Sequence, residues 1–262
     1  MMEQWMTDLA KELVGVMQYA QRAETHYHTD EDVAGFALII EKHYRAPRHT
    51  PEQPVMVGID LDGILRNCME GLKMAFLAAY PQYTEEDIGP IVEWRFHQAY
   101  PIGKAIYDFM WESHAWEALY QYAPAYPNGK RMLRYLAEHV SSAHLSLVTS
   151  QPTVQARGAT LAWIEVHGIH ECVDDVILLG KGHIGKGHLG LDILLDDGTH
   201  NLMDCLDTPT VPICKDRSWN QDWKGIRVRA YADFTEAVKA WPWDKSSSGW
   251  GSFSPSACLP TT

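Results

Sequence analysis

Asp60, Asp62, Lys186, Asp196 and Asp197, with Thr149 and Ser150 between them, are the residues of this chain whose types and spacing could cleave a phosphate ester. A phosphate monoester is a dianion. Its hydrolysis needs an in-line nucleophile, neutralisation of charge and a proton for the leaving oxygen. Asp60 follows the apolar run Val55–Ile59 and can serve as nucleophile, because a carboxylate can form an aspartyl-phosphate. Asp62, two residues on, points the same way if the backbone stays extended, which suits a general acid. Gly63 permits a sharp turn and, with Leu61, a close approach of backbone to phosphate. The competing reading of Asp60–Gly63 is an Asx turn closing a strand. Thr149 and Ser150 end a second apolar run and offer hydroxyl and backbone donors, and Pro152 stands where a following helix would begin. Asp196 and Asp197 end a third. Two such carboxylates beside Asp60 and Asp62 would repel without a cation, and hard oxygen ligands suit Mg²⁺.

The glycine-rich stretch Gly180–His188 holds two lysines, Lys181 and Lys186. It is not a nucleotide-triphosphatase phosphate loop: Gly187 stands where Ser or Thr should follow the second lysine, and a strand follows where a helix is required. One lysine reaching a bound phosphate is the better use of this loop. His26 with His28, and His183 with His188, lack the remaining ligands of a transition-metal site and read as solvated side chains.

Segments so far apart can meet only if the chain places them at one edge of a sheet. The runs Val55–Ile59, Leu145–Val148, Val176–Leu179, Leu191–Leu195 and Thr210–Cys214 read as buried parallel strands, with a further extended stretch at Ile226–Ala230. In an open parallel α/β sheet, ligands collect at the carboxyl ends of the strands. A strand–helix–strand crossover takes roughly 30 residues, yet 89 positions separate Asp60 from Thr149. The excess, residues 66–122, is expected to be a mostly helical cap rich in aromatics. Helices are also expected near Met132–Val140, Thr153–His167 and Asp233–Trp241. The core then comprises 54–65 and 123–241. Residues 1–53 read as a helical extension, with amphipathic helices over 3–24 and 30–44 and a Pro-rich linker, and are the candidate surface for self-association. The Ser/Gly/Pro-rich tail over 242–262 is expected to be disordered.

A net charge of −12 argues against a nucleic-acid polymer or an anionic membrane as partner. The five scattered cysteines do not suggest a disulfide framework, and neither a long apolar run nor a signal-peptide pattern is present. A cytoplasmic location is therefore expected.

The motifs resemble those of the haloacid dehalogenase-like phosphohydrolase superfamily, and more narrowly the 5′(3′)-deoxyribonucleotidase family. Val-Gly-Ile-Asp-Leu-Asp-Gly at 57–63, Ala-Pro-Ala-Tyr-Pro-Asn-Gly at 123–129, Leu-Val-Thr-Ser-Gln at 147–151 and Asp-Ile-Leu-Leu-Asp-Asp at 192–197 carry the likeness, in order. Arg217-Ser218-Trp219-Asn220 is similar to a family segment before the last strand. Ile64-Leu65-Arg66-Asn67 departs from the family's pattern after the first motif. The resemblance implies a three-layer α/β/α Rossmann-like core with an inserted helical cap, Asp60 as nucleophile and Asp62 as acid/base. It also implies a phosphate site of Leu61, Gly63, Thr149, Ser150 and Lys186, the last preferred over Lys181 because it stands where the family's lysine stands. Mg²⁺ would lie among Asp60, Asp62, Asp196 and Asp197. The expected substrate is a nucleoside monophosphate, its base against cap aromatics such as Trp94, Tyr107, Trp111 and Trp116. A sugar phosphatase and a catalytically silent binding protein are the alternatives.

Overall fold

The computed structural model describes residues 54–241 apart from 113, 114, 181, 183 and 184. The helices expected over 3–24 and 30–44, the tail from 242, and Lys181 lie outside the described residues.

Six strands, β1 (Val55–Ile59), β2 (Ala143–Ser150), β3 (Asp175–Leu179), β4 (Ile193–Asp196), β5 (Val211–Lys215) and β6 (Arg227–Val228), form one sheet in the order β3-β2-β1-β4-β5-β6, and every pairing is parallel. The central strands β1 and β4 are short and predominantly apolar, as strands covered by crossover helices are. The α/β class and the parallel sheet are those the sequence leads one to expect. Side chains alternate along a strand, so Val57, Ile59, Leu145, Leu147, Ile193 and Leu195 share one face. They bury with Met132, Leu133 and Leu136 of helix α4 (Pro127–His139), Trp163 and Ile164 of α5 (Val154–Val166), and Phe234 and Val238 of α7 (Tyr231–Lys239). Helix α4 starts on Pro127, whose missing N–H costs nothing in a first turn. Helix α5 is capped by Thr153, whose hydroxyl accepts from the Ala156 N–H at 3.1 Å. Helix α6 (Thr199–Asp204) packs against β4 and β5.

Between β1 and α4 the chain forms α1 (Cys68–Ala79), α2 (Ala105–Glu112) and α3 (Ala115–Tyr120). These have their own apolar cluster of Leu72, Phe76, Tyr100, Ile106, Phe109 and Leu119. Helices α1 and α3 approach closely at Gly71: a Cβ there would lie 2.5 Å from the Ala118 carbonyl oxygen. The stretch 80–104 is less helical than expected, holding only the 3₁₀ turns Glu85–Asp87 and Phe96–Ala99. Pro81, Pro90 and Pro101 break the helical hydrogen-bond ladder there. The two connections to the sheet domain are paired: the Asn67 N–H donates to the Pro124 carbonyl and the Tyr126 N–H to that of Leu65, both at 2.8 Å. Cys68, Cys172, Cys205 and Cys214 are free thiols. Among the described residues no helix is long and apolar enough to cross a membrane.

Candidate active site

Strand register brings the motif residues together. Ile59 of β1 lies opposite Leu147 of β2 on one side and Leu195 of β4 on the other. One step further, Asp60 therefore sits beside Asp196, and Thr149 and Ser150 close the neighbouring strand. Asp60 is locked there by its N–H, which donates to the Leu195 carbonyl at 2.9 Å. Asp60, Asp196 and Asp197 are all buried, and an oxygen from each lies within 4.8 Å of the others.

Lys186, on the 3₁₀ turn Lys186–His188, is 1% exposed and places its ammonium 2.9 Å from Asp60 Oδ1 and 2.7 Å from Asp196 Oδ2. Asp196 also accepts from the Gly198 N–H at 2.7 Å and from the Asn201 amide at 3.0 and 3.2 Å. Asp197 accepts from the Trp219 indole N–H at 3.0 Å, and its carbonyl accepts from the Asn220 amide at 2.9 Å.

Three carboxylates share the Lys186 ammonium, with the Arg217 guanidinium offsetting part of the charge at Asp197, and the electrostatics register the remaining imbalance. Burial pushes the Asp60 carboxyl well above the usual carboxylate range; the Asp196 charge adds to this, and Lys186 offsets only part. Burial and then Asp196 push Asp197 up to about 7. Burial alone would depress the Lys186 ammonium, but the charges of Asp196 and Asp60 outweigh it and hold it above its ordinary value. A buried cluster of hard oxygens with excess negative charge is the donor set that a small divalent cation satisfies.

Asp62 takes another direction. Its carboxylate accepts from Arg66 Nε at 2.7 Å, Arg66 Nη2 at 3.0 Å and the Gln151 amide at 2.9 Å. It does not join the three clustered carboxylates, although the sequence reading placed it among the metal ligands; the buried guanidinium is the stronger local attraction. The Leu61 N–H donates to Asp60 Oδ1 at 2.7 Å and the Gly63 N–H to the Arg66 carbonyl at 2.9 Å, so both amides are engaged within the loop. Gly63 adopts φ 75°, and a Cβ on it would stand 2.0 Å from Asp197 Oδ2. Thr149 is buried, its hydroxyl accepting from Gln151 at 3.0 Å, while Ser150 is exposed.

The four aromatics expected to line a substrate pocket separate. Trp94 is 55% exposed, and its ring lies 5.1 Å from that of His200, three residues after Asp197. The Ser218 hydroxyl donates to the Ile91 carbonyl, joining the segment that carries Trp94 to the loop that carries Trp219. Tyr107 packs inward, with its hydroxyl bonded to His97 Nδ1 and its ring 5.0 Å from Phe96. Trp111 stacks on Tyr120 and Trp116 is half-buried. Gln151, Asn201 and the buried Arg66 escaped the sequence reading as site residues. Each lies close in sequence to a motif residue: Asn201 five positions after Asp196, Gln151 next to Ser150 and Arg66 four after Asp62. Trp219 and Asn220 lie in a segment the sequence reading singled out only for its resemblance.

No curated protein matches the chain in sequence. Among solved structures, it is similar to a HAD-superfamily hydrolase from Ehrlichia chaffeensis, 11% identical over 72% of this chain and 98% of that one with a TM-score of 0.40. Another is a HAD-superfamily hydrolase from Geobacter sulfurreducens, 10% identical over 72% and 100% with a TM-score of 0.48. A third is the L-2-haloacid dehalogenase from Xanthobacter autotrophicus, 12% identical over 71% and 98% with a TM-score of 0.46. The family model described as 5′ nucleotidase, deoxy (pyrimidine), cytosolic type C protein matches residues 53–241, a span that holds the whole sheet, helices α1 to α3 and every residue of the acidic cluster. The chain thus belongs to this family, described as 5′ nucleotidase, deoxy (pyrimidine), cytosolic type C.

Proposed function

We propose that this protein hydrolyses nucleoside monophosphates in a Mg²⁺-dependent reaction through an aspartyl-phosphate. The observation that carries the reading is the buried group of Asp60, Lys186, Asp196 and Asp197 at the carboxyl ends of β1 and β4 in a member of a nucleotidase family. Asp196 already accepts four hydrogen bonds, so Asp60 and Asp197, which accept fewer, would be the principal residues holding the metal, with Asp196 ordering Lys186. Bound there, Mg²⁺ would relieve the carboxylate repulsion and neutralise phosphate charge.

An Asp60 oxygen attacks phosphorus, the ester P–O bond breaks, and the leaving oxygen takes a proton from Asp62, which enters the step in its protonated form. Asp62, now a carboxylate, takes a proton from the water that attacks the aspartyl-phosphate. Inorganic phosphate leaves and Asp60 is restored. Lys186, with the Thr149 and Ser150 hydroxyls, holds the phosphoryl oxygens. The segment 66–122 acts as a cap over this edge of the sheet, with Trp94 at its mouth offering a flat face to a base. Residues 1–53 serve as an accessory or assembly element, and the family's cytosolic type supports a cytoplasmic place of action.

The test is phosphate release from purine and pyrimidine monophosphates, ribo and deoxy, against hexose and triose phosphates, with Mg²⁺ and with chelator. Asp60→Asn should abolish release with the circular dichroism spectrum unchanged. Preference for a sugar phosphate would refute the nucleotidase reading and keep the hydrolase; full activity in chelator would refute the metal.

A further inference from the structure

Arg66 is fully buried, and its guanidinium joins three parts of the molecule. Nε and Nη2 grip the two oxygens of Asp62 as a fork at 2.7 and 3.0 Å. Nη1 donates to the Tyr120 carbonyl, at the end of cap helix α3, and to the Thr160 hydroxyl of core helix α5 at 3.1 Å. The rings of Tyr120 and Trp163 lie 5.0 and 5.6 Å from its central carbon. Trp163 in turn donates its indole N–H to the Ala123 carbonyl at 2.7 Å, where the chain returns from cap to core. A buried cation is costly unless paired, and a planar fork holds a carboxylate in one orientation as a lysine cannot. The third donor to Asp62 is Gln151, which also donates to Thr149. The Asp62 carboxylate is thus tied to the phosphate-binding strand by an amide and to the cap by a guanidinium.

We propose that Arg66 is a positioning residue: it sets where the Asp62 carboxylate stands and makes that position depend on the cap helix at Tyr120. The inference rests on the reading of Asp62 as the acid that protonates the leaving oxygen. A residue that only glued cap to core would affect all esters alike. One that aims the acid matters most where the leaving oxygen needs its proton.

Phenyl phosphate and p-nitrophenyl phosphate share a shape but differ in that need, since p-nitrophenolate leaves readily without a proton. The experiment compares kcat on both esters, at saturating Mg²⁺, for the full-length protein and for Asp62→Asn, Arg66→Lys and Thr160→Val. Asp62→Asn should lose about 100-fold or more on phenyl phosphate and far less on p-nitrophenyl phosphate. Arg66→Lys should lose about tenfold more on phenyl phosphate than on p-nitrophenyl phosphate, with the Mg²⁺-induced rise in melting temperature retained. Thr160→Val, which frees one anchor of the guanidinium, should show the same bias more weakly, and it carries the test if Arg66→Lys does not fold. Equal losses on the two esters in Arg66→Lys and Thr160→Val, or none, while Asp62→Asn discriminates, would overturn the role of Arg66 and leave the mechanism standing. If Asp62→Asn itself fails to discriminate, the acid assignment falls and this inference falls with it.

Discussion

Replacing Asp197 by asparagine is expected to stabilise the metal-free protein while abolishing turnover. Asp197 is 4% exposed, and its carboxyl is pushed up to about 7 by burial and by Asp196. Against an ordinary value of about 3.9, that is a shift of about 3 units at about 1.4 kcal/mol each, or at most about 4 kcal/mol. A carboxyl whose folded value is raised binds its proton more tightly in the folded state. The penalty is therefore absent below about pH 4, grows as pH rises towards 7, and is complete above it. The metal-free parent should gain stability as pH falls from 8 to 6, and Asp197→Asn should show much less of that gain. Asparagine keeps an oxygen to accept from the Trp219 indole, which Asp197 now does at 3.0 Å. At pH 8 in chelator the variant should melt about 10 °C above the parent for a domain of this size. Mg²⁺ should raise the parent's melting temperature and leave the variant's nearly unchanged. Thermal melts at pH 6 and pH 8, each with chelator and with Mg²⁺, supply every number needed. A variant no more stable than the parent at pH 8 in chelator would refute the view that this cluster stores carboxylate repulsion.

Lys186→Met removes the cation between Asp60 and Asp196, and the unpaired charges should lower stability by about 3–5 kcal/mol with loss of turnover; urea denaturation at pH 8 reads the first, and an unchanged midpoint would contradict the buried pairing. Gly63→Ala adds a Cβ 2.0 Å from Asp197 Oδ2 at φ 75°. It should cost about 1–2 kcal/mol and weaken Mg²⁺ binding, measured by titration calorimetry, because Asp197 must move. Trp94→Ala should raise KM for nucleoside monophosphates about tenfold, a stacking loss within the usual 1–3 kcal/mol, and leave that for phenyl phosphate unchanged; equal effects on both would remove Trp94 from base recognition.

The sheet and the places of its acidic residues were legible in the sequence because they are local properties. β1 spans Val55–Ile59, as the apolar run before Asp60 indicates, and the runs ending at Thr149 and Asp196 are strands whose carboxyl ends adjoin it. An uninterrupted apolar stretch closed by polar residues constrains the backbone whatever its neighbours. The family motifs were legible for the same reason, since each is a few adjacent residues. The strand order is another matter, because β1 pairs with β2 and β4 rather than with its sequence neighbours alone. The course of 80–104 likewise depended on where prolines broke the helices and on what the freed aromatic rings could bury against, as Phe76 does with Tyr80, Tyr83 and Tyr100. The direction of the Asp62 side chain follows Arg66, four positions on, but only the tertiary structure buries that guanidinium and adds the Gln151 amide. Nothing within a few residues shows that Arg66 is buried, because the partners it gains beyond Asp62 are Tyr120 and Thr160, 54 and 94 positions away. Lys186, Asp60 and Asp196 each have an ordinary solvent-facing reading in isolation. Their burial is tolerable only together, and only the folded sheet brings them within hydrogen-bonding distance.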